Sequence, residues 1–130
     1  MIDQTLIPES VWINPLTTDA KFEENRVFFV TVFGRLKETG KSRSGEPIMR
    51  RSTRVWAWFS KFEDAARTII YNETDIHETM YEYAMVEAVP EGMLPLRYQE
   101  WWWKWDNEQE RYLPSSRPAD YENVVSLSIG

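Results

Sequence analysis

Arg26-Val-Phe-Phe-Val-Thr-Val-Phe-Gly-Arg-Leu36 is rich in β-branched and aromatic residues, the composition of a strand buried on at least one face. The polar stretch after it, Glu38 to Pro47 with Gly40 and Gly45, reads as a long hairpin loop. A second strand is expected from Ile48 to Phe59, and the two strands make a β-hairpin. Ser60-Lys61-Phe62-Glu63 has the form of a capping box, in which the serine oxygen and the glutamate carboxylate each satisfy a free backbone N–H at a helix start. Phe62, Ala65, Ala66, Ile69 and Ile70 then recur at helical spacing, which predicts an apolar stripe packed on the sheet. Asn72 ends that helix, and Thr74-Asp75 can cap a second, shorter helical piece through Glu78. Further strands are expected over Tyr81 to Val89, up to a turn at Pro90-Glu91-Gly92, and over Gln99 to Trp105. A turn at Asp106-Asn107 leads to a return strand through Tyr112, and a last strand is expected at Val124 to Ile129.

The order implies an α+β fold, a mainly antiparallel sheet with one or two helices packed on one face. No repeat, low-complexity tract or linker interrupts the 130 residues, so residues 1–130 are read as a single domain. Within it, residues 1–25 form an irregular arm with one extended piece around Val11-Trp12-Ile13, and residues 26–130 form the sheet-and-helix core. That arm is a candidate for packing against a partner subunit.

Composition narrows the chemistry. There is no cysteine, which excludes disulfides and thiolate metal sites. The N-terminus lacks a basic start and apolar run, and no stretch approaches the roughly 18 apolar residues of a membrane span, so a cytoplasmic protein is expected. A net charge of −6 repels a DNA or RNA polymer at long range, while Arg50, Arg51 and Arg54 crowd one segment that could take a small anion. The single histidine, His77, is expected to be exposed or to cap a helix end. No metal-binding loop, phosphate-binding glycine loop or other catalytic motif is present, and no cofactor is called for.

Seven tryptophans remain to be explained. Arg54, Trp56 and Trp58 alternate, so a strand would set all three on one face. There they could hold a nucleotide, with guanidinium on phosphate and ring on base, or simply form sheet core with the arginine reaching water. Trp101-Trp102-Trp103-Lys104-Trp105 puts aromatics on both faces of one strand, which requires both faces to be covered. A helix on one side and a second subunit or the N-terminal arm on the other would do so.

Several short motifs occur in order: Arg54-Val-Trp-Ala-Trp-Phe, Phe62-Glu-Asp-Ala-Ala, Asn72, Asp75, Tyr83-Ala-Met-Val-Glu87, Glu91-Gly92, Trp102-Trp-Lys-Trp105 and Ser128-Ile-Gly130. Over about residues 51 to 130 the chain thereby resembles the first family of Thoeris anti-defence proteins, which are phage sponges. The resemblance implies a homo-oligomer, a dimer or trimer of dimers, built on an antiparallel sheet with helices. It implies binding of cyclic ADP-ribose-type immune messengers without cleavage, and in some members also of cyclic oligonucleotides. Carried over by position, Phe62 at the helix start and Asn72 at its end would contact ligand, about 15 Å apart along the helix. Arg35, Arg54 and Arg97, each near the end of an expected strand, are candidates for the pyrophosphate, and Trp56 for a base. Two other functions are consistent with the residues: an acidic inhibitor of a bacterial defence protein, and a metal-independent hydrolase using carboxylates such as Asp64 or Glu87.

Overall fold

A computed structural model describes residues 2–12, 26–90 and 99–120. Eight strands and one α-helix are named here in chain order: β1 (Val11–Trp12), β2 (Arg26–Phe33), β3 (Lys37–Lys41), β4 (Pro47–Arg50), β5 (Thr53–Phe59), α1 (Phe62–Tyr71), β6 (Tyr83–Pro90), β7 (Gln99–Asp106) and β8 (Arg111–Ser115). Short 3-10 turns occupy Gln4–Leu6 and Ile76–Thr79. The main sheet has six antiparallel strands in the order β1-β7-β6-β2-β5, with β8 also paired to β7; β3 and β4 form a separate ribbon. The fold is α+β with the helix on one face, as the pattern of elements implies.

Strand β2 sits inside the sheet, between β5 and β6, and alternation explains its nearly continuous apolar sequence. Phe28, Val30 and Val32 point toward α1 and join Ala65, Ala66, Ile69 and Ile70 in the main core. Phe33, on the other face, packs with Met85 and Trp102 in a second cluster. In β7 the same alternation sends Trp101, Trp103 and Trp105 toward the helix side and Trp102 to the opposite side. Trp102 is only 1% exposed within one chain, so its burial does not require a second subunit.

Of the expected N-terminal arm, the described residues 2–12 pack on this chain's own sheet. β1 pairs with the start of β7, and the Trp103 indole N–H donates to the Leu6 carbonyl at 2.9 Å. The extended piece at Val11-Trp12 is present; the rest of the expected arm, the turn after Pro90, Arg97 and the strand at Val124 to Ile129 lie outside the described residues.

Three local expectations are corrected. The stretch Glu38 to Pro47 is not a plain loop: β3 and β4 run through it, held by ladder hydrogen bonds that its all-exposed polar sequence could not advertise. The strand expected from Ile48 to Phe59 is two, divided at Arg51-Ser52, because Arg51 turns into the protein. The capping box does not form, since Lys61 occupies the N-cap position with no side-chain cap bond. Among the described residues, no helix is long and apolar enough to cross a membrane.

Arg51 joins the ribbon to the sheet. Its side chain is 5% exposed and donates through Nη1 to the Gly34 carbonyl at 2.9 Å and to Glu82 Oε1 at 2.8 Å. Nε and Nη2 grip both oxygens of Asp120 at 2.7 and 3.1 Å, the bidentate geometry that a planar guanidinium favours. These bonds hold the Asp120 carboxyl below the usual carboxylate range and raise the Arg51 guanidinium above its own. Asp120 is therefore more acidic folded than unfolded, so its stabilising contribution is complete above about pH 4 and fades as pH falls through its folded value. Arg51→Met should cost about 2–4 kcal/mol in urea unfolding, because it strands partly buried carboxylates. Arg51→Lys should recover only part of this, and the acid-side loss of stability below about pH 4 should be shallower in Arg51→Met than in the parent.

Candidate functional site

Register decides which site residues can meet. Across the β2–β5 ladder Val30 faces Ala57 and Thr31 faces Val55, so Trp56 is an extra residue, a β-bulge. Cross-strand partners share a face. Arg54 is paired with Val32 and therefore lies on the helix side, whereas Trp58 is paired with Phe29 and lies on the other. The expectation that Arg54, Trp56 and Trp58 share one face is thus overturned: the bulge inverts the alternation, and Trp58 is left 66% exposed on the far side.

Arg54 and Trp56 do act together. The guanidinium carbon of exposed Arg54 lies 5.3 Å from the Trp56 ring centroid, over its face. The indole N–H donates to Thr74 Oγ1 at 2.8 Å, which fixes the ring against the segment leaving α1. Thr74 is two residues beyond Asn72, so Arg54, Trp56 and Asn72 gather toward the C-terminal end of the helix. Sequence reasoning did not single out Thr74 as an anchor, and only its hydroxyl near a tryptophan in space reveals that role.

Asn72 has the left-handed conformation at the helix C-cap, φ 58°, which asparagine tolerates better than most residues. Its Oδ1 accepts the His77 backbone N–H at 2.8 Å, taking the place of a cap that Asp75 does not supply to the following 3-10 turn. His77 in turn places Nε2 2.6 Å from the Ile69 carbonyl; a carbonyl only accepts, so Nε2 carries the proton and closes a free helix-end oxygen. The expectation of a capping histidine holds. Its ring packs edge-on against Trp105 and Tyr112, and the Tyr112 hydroxyl, its pKa pushed up by burial, donates to the Tyr81 carbonyl. Asn72 also borders an open cleft of about 440 Å³ with Glu78, Met80, Trp105 and Glu110. Among the described residues, two glutamates and no lysine or arginine line it, so these residues would repel a pyrophosphate there.

Phe62 belongs to a different group at the opposite end of the helix. Its ring centroid is 4.5 Å from that of Trp101 and 5.9 Å from that of Phe28, while Arg26 lies over Phe28 and donates to Gln99. Phe62 and Asn72 are thus separate, as the length of the helix requires. Arg35 is exposed on the link between β2 and β3, and Arg97 lies outside the described residues. Of the carboxylates considered for hydrolysis, Asp64 is exposed in the first turn of α1, and Glu87 is buried on the face of the sheet away from the helix, opposite Glu100. Among the described residues, no group of three or more histidine, aspartate or glutamate side chains is arranged to hold a metal.

In comparisons with known proteins, no family, no curated protein and no solved structure matches this chain. The left-handed cap gives a test of Asn72 as a structural residue. Asn72→Ala should lose about 1–3 kcal/mol through the strained φ and the unmade bond to His77, whereas Asn72→Gly should lose less because glycine takes that φ freely. Thermal unfolding of the pair measures the difference.

Proposed function

We propose that this chain is a phage-encoded anti-defence sponge that binds a cyclic ADP-ribose-type messenger and holds it without cleaving it. The observation that carries the reading is the Arg54–Trp56 pair, a cation over a fixed indole at the edge of the sheet. A guanidinium can fork onto phosphate oxygens while an adjoining aromatic surface takes a base, and both features are needed for tight capture. Nanomolar binding requires about −12 kcal/mol, more than phosphate contacts in water supply. Preorganisation adds to it here, because the Thr74 bond has already fixed the ring.

The order of short motifs that resembles the anti-defence family supports the same ligand class. Capture without cleavage agrees with the engagement of His77 as a helix cap, and with the placement of Asp64 and Glu87 on opposite sides of the sheet.

Protein purified from cells containing a TIR-domain defence enzyme should carry an intact cyclic ADP-ribose species, seen by native mass spectrometry and released by heat. Arg54→Ala and Trp56→Ala should each weaken its rebinding at least about tenfold, equivalent to about 1.4 kcal/mol. Unchanged rebinding in both would move the ligand to the Phe62–Trp101 group. An empty protein with the messenger free in the lysate would sink the sponge.

A further inference from the structure

Strand β5 ends the main sheet on one side. Among the described residues it pairs with β2 alone, and none of its seven residues is buried. An edge strand carries a row of backbone N–H and C=O groups without ladder partners, and natural sheets usually blunt such a row with charges, proline or bulges. Here the blunting is partial. Arg54 and the bulge at Trp56 are present, but Val55 and Ala57 are half-buried and the Trp58 ring is exposed, so β-branched and aromatic surface follows the edge.

The ladder to β2 identifies the backbone groups that turn outward. The Gly34 N–H donates to the Ser52 carbonyl at 2.8 Å, so Ser52 faces β2. Inward and outward residues alternate along an antiparallel strand, which turns Arg54 toward β2 and points the N–H and C=O of Thr53 and Val55 at the edge. Side chains divide differently. Because of the bulge, Arg54 lies on the helix side and Trp58 on the far side, across from half-buried Phe29. The charge at the start of the strand is positive: residues 50–54 hold Arg50, Arg51 and Arg54 and no aspartate or glutamate. Arg51 is matched by Glu82 and Asp120, whereas Arg50 and Arg54 are exposed and, among the described residues, form no ion pair.

We propose that β5 takes up an extended segment of a partner protein, alternately acidic and apolar, as a further strand of the sheet. Main-chain bonds at Thr53 and Val55 supply affinity, and the alternate side chains supply specificity, as in other strand additions. Carboxylates fall on the helix side beside Arg54, with Arg50 close in sequence, and apolar side chains fall on the far side against Trp58. Other occupants fit less well. A second copy paired through β5 would bring the same cations to both sides of the new ladder, and like charges there are destabilising. A nucleic acid cannot complete a backbone ladder. The messenger reading above is independent of this one, and Arg54 is the residue that the two share.

Amide hydrogen exchange followed by NMR tests it, with an end-blocked eight-residue peptide of alternating glutamate and valine as the probe. In the free protein the Thr53 and Val55 N–H groups should exchange at least about tenfold faster than that of Arg54, which the ladder to β2 protects. The peptide should slow exchange at Thr53 and Val55 about tenfold or more. The same peptide N-methylated at every second residue, in the register that removes the donors facing β5, should bind at least about tenfold more weakly although its charges are unchanged. A peptide with lysine for glutamate should lose a similar factor, and so should Trp58→Ala with the original peptide, at a melting temperature near the parent's because the ring is exposed. Thr53 and Val55 already protected in the free protein would mean that the edge is covered, by this chain or by a second copy, and would overturn the proposal. No protection at millimolar peptide, undiminished binding of both N-methylated registers or of the lysine peptide, or equal protection by a DNA duplex would overturn it as well.

Discussion

Arg51 brings together four parts of the chain that are far apart in sequence: the end of β2 at Gly34, its own turn between β4 and β5, Glu82 ahead of β6, and Asp120 beyond β8. A buried guanidinium is tolerable only when its donors are matched, and here two carboxylates and a carbonyl match them while the Tyr83 ring lies beneath. The consequence reaches past the ion pair. By turning inward, Arg51 breaks what would have been one long strand, and everything from Lys37 to Arg50 is thereby free to leave the sheet as a ribbon.

A second constraint acts within β5. One inserted residue at Trp56 sends Arg54 and Trp58 to opposite faces, so a sequence that alternates faultlessly does not build a common surface. The bulge sets Trp56 against the helix side, where Thr74 holds its indole, and leaves Trp58 exposed on an edge strand. Bulges at sheet edges commonly re-aim a side chain in this way, and here the result is the pairing of an arginine with an aromatic face.

Much of the architecture was legible because burial leaves periodic traces. Phe28, Val30 and Val32 mark one side of a strand, Ala65, Ala66, Ile69 and Ile70 mark one side of a helix, and the four tryptophans near Lys104 announce a strand covered on both faces. Elements held by backbone bonds or by single polar contacts left no such trace. Lys37–Lys41 is a strand without apolar residues, and the cap of the Ile76–Thr79 turn comes from Asn72, four residues before its first residue. For the candidate site, the sequence identified Arg54, Trp56 and Asn72 individually; that they gather toward one helix end while Phe62 stays at the other follows from register and helix length, which pattern reading treats only approximately.

The pairing of β1 with β7 has a kinetic meaning. Gln99 bonds Ser10 across 89 residues of sequence, the Leu6 carbonyl accepts the Trp103 indole N–H, and β1 itself is only two residues long. Closing so large a loop for so short a ladder is unfavourable until β7 is already in place, so β1 joins after β7. A ribosome releases residues 10–12 well before residue 100, yet they must wait for it to emerge. β1, made before β7, therefore takes its place in the sheet only after β7 does.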